Sequence, residues 1–499
     1  MDALFQLADG FAYVFQWQNL LIVLLGCVMG TMIGMLPGLG GSNAIAVLLP
    51  LVFALGLEPA AALILFAGIY YGSEYGNSIS AILLNIPGTS GAVATTFDGH
   101  PMARDGRAGT ALAMSAVASF VGGTISVVGL MVFAPLLARW ALHFGPAEYF
   151  VLIVFALTMV SALSKGDALK GLISAILGLM VATIGLDPNG STARFTFGSV
   201  KLYDGVDFVV AMIGLFAIGE VLMTLERVRQ RDQLVTLVSR ASIKLSEIKK
   251  TVGTMLRSSA IGFFIGTLPG AGATIASFLC YIMEKTLTGS RGTFGDGDIR
   301  GVAAPESANN AAASGAFVPL LTLGIPGSAT TAIILVALVG LNVRPGPLLI
   351  GSNPEIFWGL VASMYVGNLM LLVLNLPLVG LFVRVLMIPR WALMPVVVVV
   401  SFVAIYSLNN SSFDLLVMTG LGIGGYLMRK LGFPIAPAVL GLVLGNLLEV
   451  NLRQAIALSD GDWTTLAGSP ITLVLWLCVA ASLMSPVLPR LLSKRARNV

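Results

Sequence analysis

Long, mostly apolar runs separated by short polar breaks recur from one end of the chain to the other. They lie at Leu20–Leu36, Gly109–Ala138, Tyr149–Leu163, Leu169–Leu186, Phe208–Leu225, Ile356–Leu376, Ala392–Tyr406, Leu415–Leu427, Ala436–Leu448 and Ile471–Leu488. A helix needs about 20 such residues to cross a bilayer, and the whole pattern predicts about 10–14 membrane segments. The longest polar stretch, Glu226 to about Lys250, leaves no room for a separate soluble domain. The pattern divides the chain into an N-terminal segment (1–18), a first membrane repeat (19–225), a basic linker (226–250), a second membrane repeat (251–488) and a basic tail (489–499).

Composition agrees with the bilayer as solvent. The 499 residues are 57% hydrophobic and 10% charged, with a mean hydropathy of +0.93, whereas soluble domains are about a quarter charged. Because lipid cannot satisfy an exposed backbone, the expected fold is an all-α polytopic membrane protein. Cys27, Cys280 and Cys478 lie in apolar segments without ligand spacing, and His100 and His143 are not placed for metal binding or a catalytic triad. They predict no disulfide, metal site or cofactor.

Charge then sets orientation. Eight Lys and Arg residues fall between Glu226 and Arg257, and Arg490, Lys494, Arg495 and Arg497 crowd the tail, while the first basic residue is Arg104. Basic loops stay in the cytoplasm, so linker and tail are expected inside and the N-terminus outside. With Asp2 and Asp9 at its start, the chain lacks the positive beginning of a signal peptide, so the first apolar segment is expected in the mature protein. The basic loops explain the pI near 9.0, and no base-reading or stacking motif accompanies them, so nucleic acid is not an expected partner.

Sliding the chain on itself by 232 residues places Gly30–Ile45 on Gly262–Ser277 with eight identities in sixteen positions. Without a gap the same offset puts Glu74 on Glu306 and Asn77 on Asn309, and seven more residues bring Ile86-Pro87-Gly88 onto Ile325-Pro326-Gly327. This is an internal repeat. Its first copy starts near an outside terminus and its second follows the basic linker, so the copies enter the membrane from opposite sides. Inverted repeats of this kind belong to secondary transporters that expose one site to each face in turn.

Each copy interrupts its apolar runs twice. The first pair of breaks contains Pro37, Gly38, Gly40, Gly41, Ser42 and Asn43, matched by Pro269, Gly270, Gly272, Ala273 and Thr274. The second contains Pro87, Gly88 and Thr89, matched by Pro326, Gly327 and Ser328. Proline removes an amide donor and glycine accepts unusual torsions, so a helix should stop and restart at each break. Such irregular backbone is tolerated in a membrane only inside protein or beside a watery cavity. The restarting helix offers free amides and a partial positive charge, a site for a carboxylate. These residues are the candidate substrate site; the competing reading is a set of kinks or tight helix contacts.

Between the breaks lie Tyr70–Asn77 and Pro305–Asn310. In each, a carboxylate and an amide three residues apart share one helix face. Acidic residues in membrane context point to function, so Glu74, Asn77, Glu306, Asn309 and Asn310 are candidate ligands for a coupling cation, sodium or proton. The alternative is that both glutamates cap helices at the membrane surface. The polar stretch Thr96–Arg107 reads as a connector between spans, with a loop capping the site as the other possibility.

Gly34-Met35-Leu36-Pro37-Gly38-Leu39-Gly40, Asp98-Gly99-His100-Pro101-Met102, Ala304–Ala311 and Thr322-Leu323-Gly324-Ile325-Pro326-Gly327 together resemble the large membrane subunit of the tripartite tricarboxylate transporters, the TctA type. The resemblance covers residue 20 to the C-terminus. It implies a cation-driven symporter of a bacterial inner membrane, moving citrate and other di- or tricarboxylates. It also implies a small second membrane subunit (TctB type) and a periplasmic solute-binding protein (TctC type). His100, where tyrosine is expected, and Ser307, where alanine is usual, are modest departures.

Three rival readings are weaker. An intramembrane aspartyl protease would use Gly295-Asp296-Gly297-Asp298, but Ser290–Arg300 is a charged loop in which these aspartates are expected to sit in water. A nucleotide-driven pump would need a phosphate-binding Gly-x-x-x-x-Gly-Lys motif, which is missing. A passive anion channel remains the main alternative, since broken helices also build selectivity filters.

Overall fold

Helix α2 (Trp17–Gly34) carries no charged residue and ends three residues before Pro37, as expected where a following proline disfavours the helical region for its predecessor. Gly26, Gly30 and Gly34 recur every fourth residue and form one face. A Cβ on Gly30 would overlap the Ile69 backbone, and one on Gly34 the Ser73 backbone. The face is therefore the seat of α4 (Pro59–Leu84), a 26-residue helix buried almost throughout. Helix α11 (Leu245–Gly266) repeats the device: Gly262 and Gly266 press on the backbone of Ala308 and Ala312 in α13 (Arg300–Gly315).

The computed structural model describes residues 2–36, 40–163, 168–187, 190, 192–227, 241–270, 272–385, 394–395, 398–399, 401–403, 405–406 and 410–484. Pro37 and Gly38, most of the linker and the basic tail lie outside the described residues. The chain divides into two compact units, one of Met1–Ala138 with Thr224–Leu408, the other of Arg139–Met223 with Asn409–Val499. Each predicted repeat thus contributes its first part to one unit and its last part to the other.

In the first unit, α1 (Asp2–Val14) packs on α17 (Pro354–Asn375), and α3 (Gly40–Ala54) precedes α4. Helices α5 (Val93–Met102) and α6 (Ala108–Ala141) follow the second break, and α12 (Gly272–Thr288) follows α11. After α13 come α14 (Phe317–Leu323), α15 (Ala329–Gly340), the short α16 (Leu349–Ser352), α17 and α18 (Val379–Val385). Contacts fix directions. Residues advance together along α2 and α4 and along α11 and α13, but Glu74 meets Asn309 while Tyr71 meets Ser314, so α4 and α13 run antiparallel. The helix after the second break crosses over: α5 packs on α12 and α13, and α15 on α3 and α4.

The same contacts correct the register read from sequence. Gly30 and Gly34 match Gly262 and Gly266 at an offset of 232, but their partners Ile69 and Ser73 match Ala308 and Ala312 at an offset of 239. Gly76 against the Thr31 carbonyl and Gly315 against that of Phe263 give the same pair of offsets. The seven additional residues therefore precede α13 and fall in its long connection from α12, 289–299, where the first copy has only 55–58. Glu74 is spatially equivalent to Ala313 and Glu306 to Ala67, although each lies in a Glu-x-x-Asn motif. Two full helical turns of slip kept the polar patches on the same face and hid the gap.

The second unit contains α7 (Pro146–Leu163), α8 (Ala168–Ala182), a two-residue hairpin of β1 (Gly185–Leu186) and β2 (Ala193–Arg194), α9 (Phe208–Met212) and α10 (Gly219–Arg227). It continues with α19 (Ser412–Lys430), α20 (Ile435–Leu458) and α21 (Pro470–Met484). Helices α7, α8 and α20 pack on one another, with Gly178 and Gly441 admitting close backbone approach. Arg194 and Arg453 tie the hairpin to α20 through Asp187 and Glu449, with Arg453 at 2.8 and 2.6 Å from them. Five helical segments among the described residues are long and apolar enough to cross a membrane, and five shorter ones are apolar. This is an all-α, multi-pass membrane protein.

Candidate functional site

The second breaks are built alike. Helix α4 stops at Asn85 and α14 at Gly324, both left-handed, with φ of 56° and 68°. Asparagine and glycine are the residues that take this conformation readily. Thr89 and Ser328, one position before the next helical segment, are both extended. Ser328 caps α15, its Oγ accepting from the Thr331 amide at 3.2 Å. Thr89 makes no cap and instead accepts a hydrogen bond from Asn77 Nδ2 at 2.6 Å.

That bond belongs to a buried cluster. Glu74 Oε2 accepts from Asn77 Nδ2 at 2.8 Å and from Asn309 Nδ2 at 2.9 Å. Glu74 is 5% exposed and the two asparagines are fully buried. An amide group donates through nitrogen and accepts through oxygen, so pointing both nitrogens at one carboxylate turns both oxygens away from it. Asn77 Oδ1 and Asn309 Oδ1, with Asn310 Oδ1 nearby on α13, are buried and accept no hydrogen bond from the described residues. A buried oxygen without a donor is costly, and a cation is a partner that would satisfy it. Among the described residues no three His, Cys, Asp or Glu side chains group to hold a metal. A cation held by these oxygens would meet neutral hard donors, with the Glu74 charge behind the amides that it orders.

The breaks converge on this cluster. A Cβ on Gly91 would overlap Asn309 Oδ1, Ser90 Oγ lies 2.6 Å from Thr274 Oγ1 in the first turn of α12, and Tyr70 OH lies 3.3 Å from Ser328 Oγ. The Gly270 amide donates to the Gly327 carbonyl at 3.0 Å, joining the two breaks of the second copy. Gly40, Gly41, Ser42 and Asn43 form the first turn of α3, and Gly272, Ala273 and Thr274 that of α12. Gly88, after the half-buried Pro87, folds against α2, where a Cβ on it would overlap the Gly34 carbonyl; Pro326 and Gly327 are buried, Gly327 beside Ala316 and Gly266.

Glu306 stands apart. Its Oε1 accepts from Thr95 on α5 at 2.5 Å and its Oε2 from Ser119 on α6 at 3.2 Å, while Asn310 Nδ2 donates to its backbone carbonyl. Neither glutamate caps a helix end at the surface: both lie inside helices, and Glu306 is fully buried. Thr95 and Ser119 were not among the expected site residues, although Ser115 and Ser119, one turn apart in an apolar run, are the trace they leave in the sequence.

Two other expectations change. Residues 93–102 are a helix, not a connector, with Asp98 fully buried. Asp298, expected in water, is 4% exposed. Burial opposes its ionisation, but bonds from Arg300 and from the Arg300 and Thr293 amides hold its carboxyl at about 2.

Residues 20–440 match the model of the "Tripartite tricarboxylate transporter TctA family". The chain belongs to the TctA family. TctA proteins are transporters, not enzymes, and serve in tripartite systems, which implies a small membrane subunit and a binding protein as partners. Two relatives from Agrobacterium vitis are uncharacterised. One, "Uncharacterized 52.8 kDa protein in TAR-I ttuC' 3'region", is 42% identical over 99% of this chain and 98% of its own length. The other, "Uncharacterized protein in TAR-II ttuC' 3'region", is 46% identical over 47% of this chain and 97% of its own. No solved structure matches this TctA chain.

Proposed function

We propose that this TctA protein is the large permease subunit of a cation-coupled symporter for small di- and tricarboxylates such as citrate. It works in the bacterial inner membrane, N-terminus outside and C-terminus in the cytoplasm, with a small membrane subunit and a periplasmic solute-binding protein. The observation that carries the reading is the Glu74, Asn77 and Asn309 cluster, set where broken helices of antiparallel segments meet. Its acceptor oxygens face away from the carboxylate that orders them, an arrangement suited to a sodium ion. The helix starts at Gly40 and Gly272, with Ser42, Thr274, Thr89 and Ser328, supply amides and hydroxyls for the carboxylates of the cargo. Cargo and cation bound side by side attract each other, so each should tighten binding of the other by the same factor.

Binding of radioactive sodium to the purified chain, with and without citrate, tests this directly. Citrate should raise sodium affinity, and Glu74→Gln should abolish the enhancement. Sodium binding that ignores citrate and every other small carboxylate tried would overturn the coupling.

A further inference from the structure

The seven additional residues of the second copy have a ligand, and it comes from the first copy. Asp98, fully buried near the end of α5, accepts through Oδ1 from the amides of Gly295 at 2.9 Å, Gly297 at 2.9 Å and Asp298 at 2.8 Å. Its Oδ2 accepts from Tyr281 OH on α12 at 2.8 Å. Converging backbone amides form an anion-binding nest, and this one is held in shape by Asp298, which binds Arg300 and the Thr293 amide. Arg107, beyond α5, adds a bond to the Gly297 carbonyl at 2.7 Å. Gly301 leaves room for the carboxylate, since a Cβ there would overlap Asp98 Oδ2.

The other end of this segment lies at the site: Ser90 meets Thr274, Gly91 faces Asn309, and Thr95 reaches Glu306. We infer that Asp98 is a positioning residue, pinning the far end of α5 to the α12–α13 connection so that its near end stays seated on the second copy. Among the described residues the symmetry-related helix α15 shows no such anchor, for the position equivalent to Asp98 is Ala337 and the matching connection, 55–58, is the short one. The two breaks are therefore unequal: the helix after Asn85–Ser90 has this anchor at its far end, and the helix after Gly324–Ser328 lacks it.

The inference rests on the transport reading for its purpose, but its test does not. Ala92, where α5 begins, and Ala332, in the matching part of α15, are both fully buried. Each is replaced singly by cysteine in a chain freed of Cys27, Cys280 and Cys478, and its maleimide labelling is timed in membranes. Removing four hydrogen bonds to one carboxylate with Asp98→Ala should speed labelling at Ala92→Cys by about tenfold or more and leave Ala332→Cys unchanged. Asp98→Asn, which keeps an acceptor for the amides, should give a smaller rise and covers the case in which Asp98→Ala does not insert. An unchanged rate at position 92 in both variants, or an equal rise at both positions, would overturn the assignment. A chain that labels as expected yet transports nothing would instead refute the transport reading.

Discussion

Replacing Asn309 by alanine removes one of the two donors that order Glu74 and one of the acceptor oxygens offered to a cation. The lost bond, 2.9 Å to a buried carboxylate, is of the charge-assisted kind, whose removal costs about 1.5–3 kcal/mol. In the cation-binding equilibrium that is roughly a ten- to hundredfold loss of affinity, before any direct Oδ1 contact is counted. The assay is the sodium concentration for half-maximal citrate uptake in vesicles containing the whole complex, with the amount of inserted protein measured in parallel. Half-saturation should rise by that factor, and the same lost bond should lower the melting temperature of the inserted protein, so uptake is compared at a temperature where both proteins stay folded. Native sodium dependence in a well-inserted Asn309→Ala protein would refute the placement of the cation in this cluster.

Two further predictions concern the frame. Gly34→Leu forces a side chain into the Ser73 backbone and should destabilise the protein by about 1–3 kcal/mol or more, seen as a lower melting temperature in detergent; Gly420→Leu, on the exposed and open side of α19, should leave melting almost unchanged. Asp298 has a carboxyl held at about 2 against an ordinary value of 3.8, so its stabilising effect is fully present above the ordinary value and lost as pH falls through the lower one. The melting difference between native protein and Asp298→Asn should therefore be constant above about pH 5 and shrink on acidification, and a difference that grows in acid would refute this.

Much of the fold was legible because membrane helices announce themselves by composition: among the described residues the apolar runs and the stop before Pro37 reappear in the structure, while the run Ala392–Tyr406 lies largely outside them. The exceptions have one physical cause. Helices α4, α5 and α13 are buried in protein rather than lipid, so they carry Glu74, Asp98, Glu306 and several asparagines, and their polarity made them read as patches or connectors. The candidate site was legible as a set of residue types around paired breaks, but not as geometry. Sequence placed Glu74 and Glu306 as equivalents; contacts place Glu74 with Asn77 and Asn309, and Glu306 with Thr95 and Ser119. Register between packed helices is decided by which small residues meet, as Gly34 on Ser73 and Gly266 on Ala312, and two turns of slip leave the hydrophobic pattern unaltered. The Asp98 nest was invisible for a related reason: backbone amides carry no side-chain signal.

The central claim, coupled transport of a carboxylate, is tested most directly by uptake of labelled citrate and related dicarboxylates into vesicles containing the complete complex, with and without an imposed sodium gradient at fixed pH. Cation-coupled symport predicts accumulation above the external concentration when sodium is directed inward, and its collapse when the gradient is dissipated. Uptake that only equilibrates, indifferent to sodium and proton gradients alike, would contradict the account and identify a passive channel.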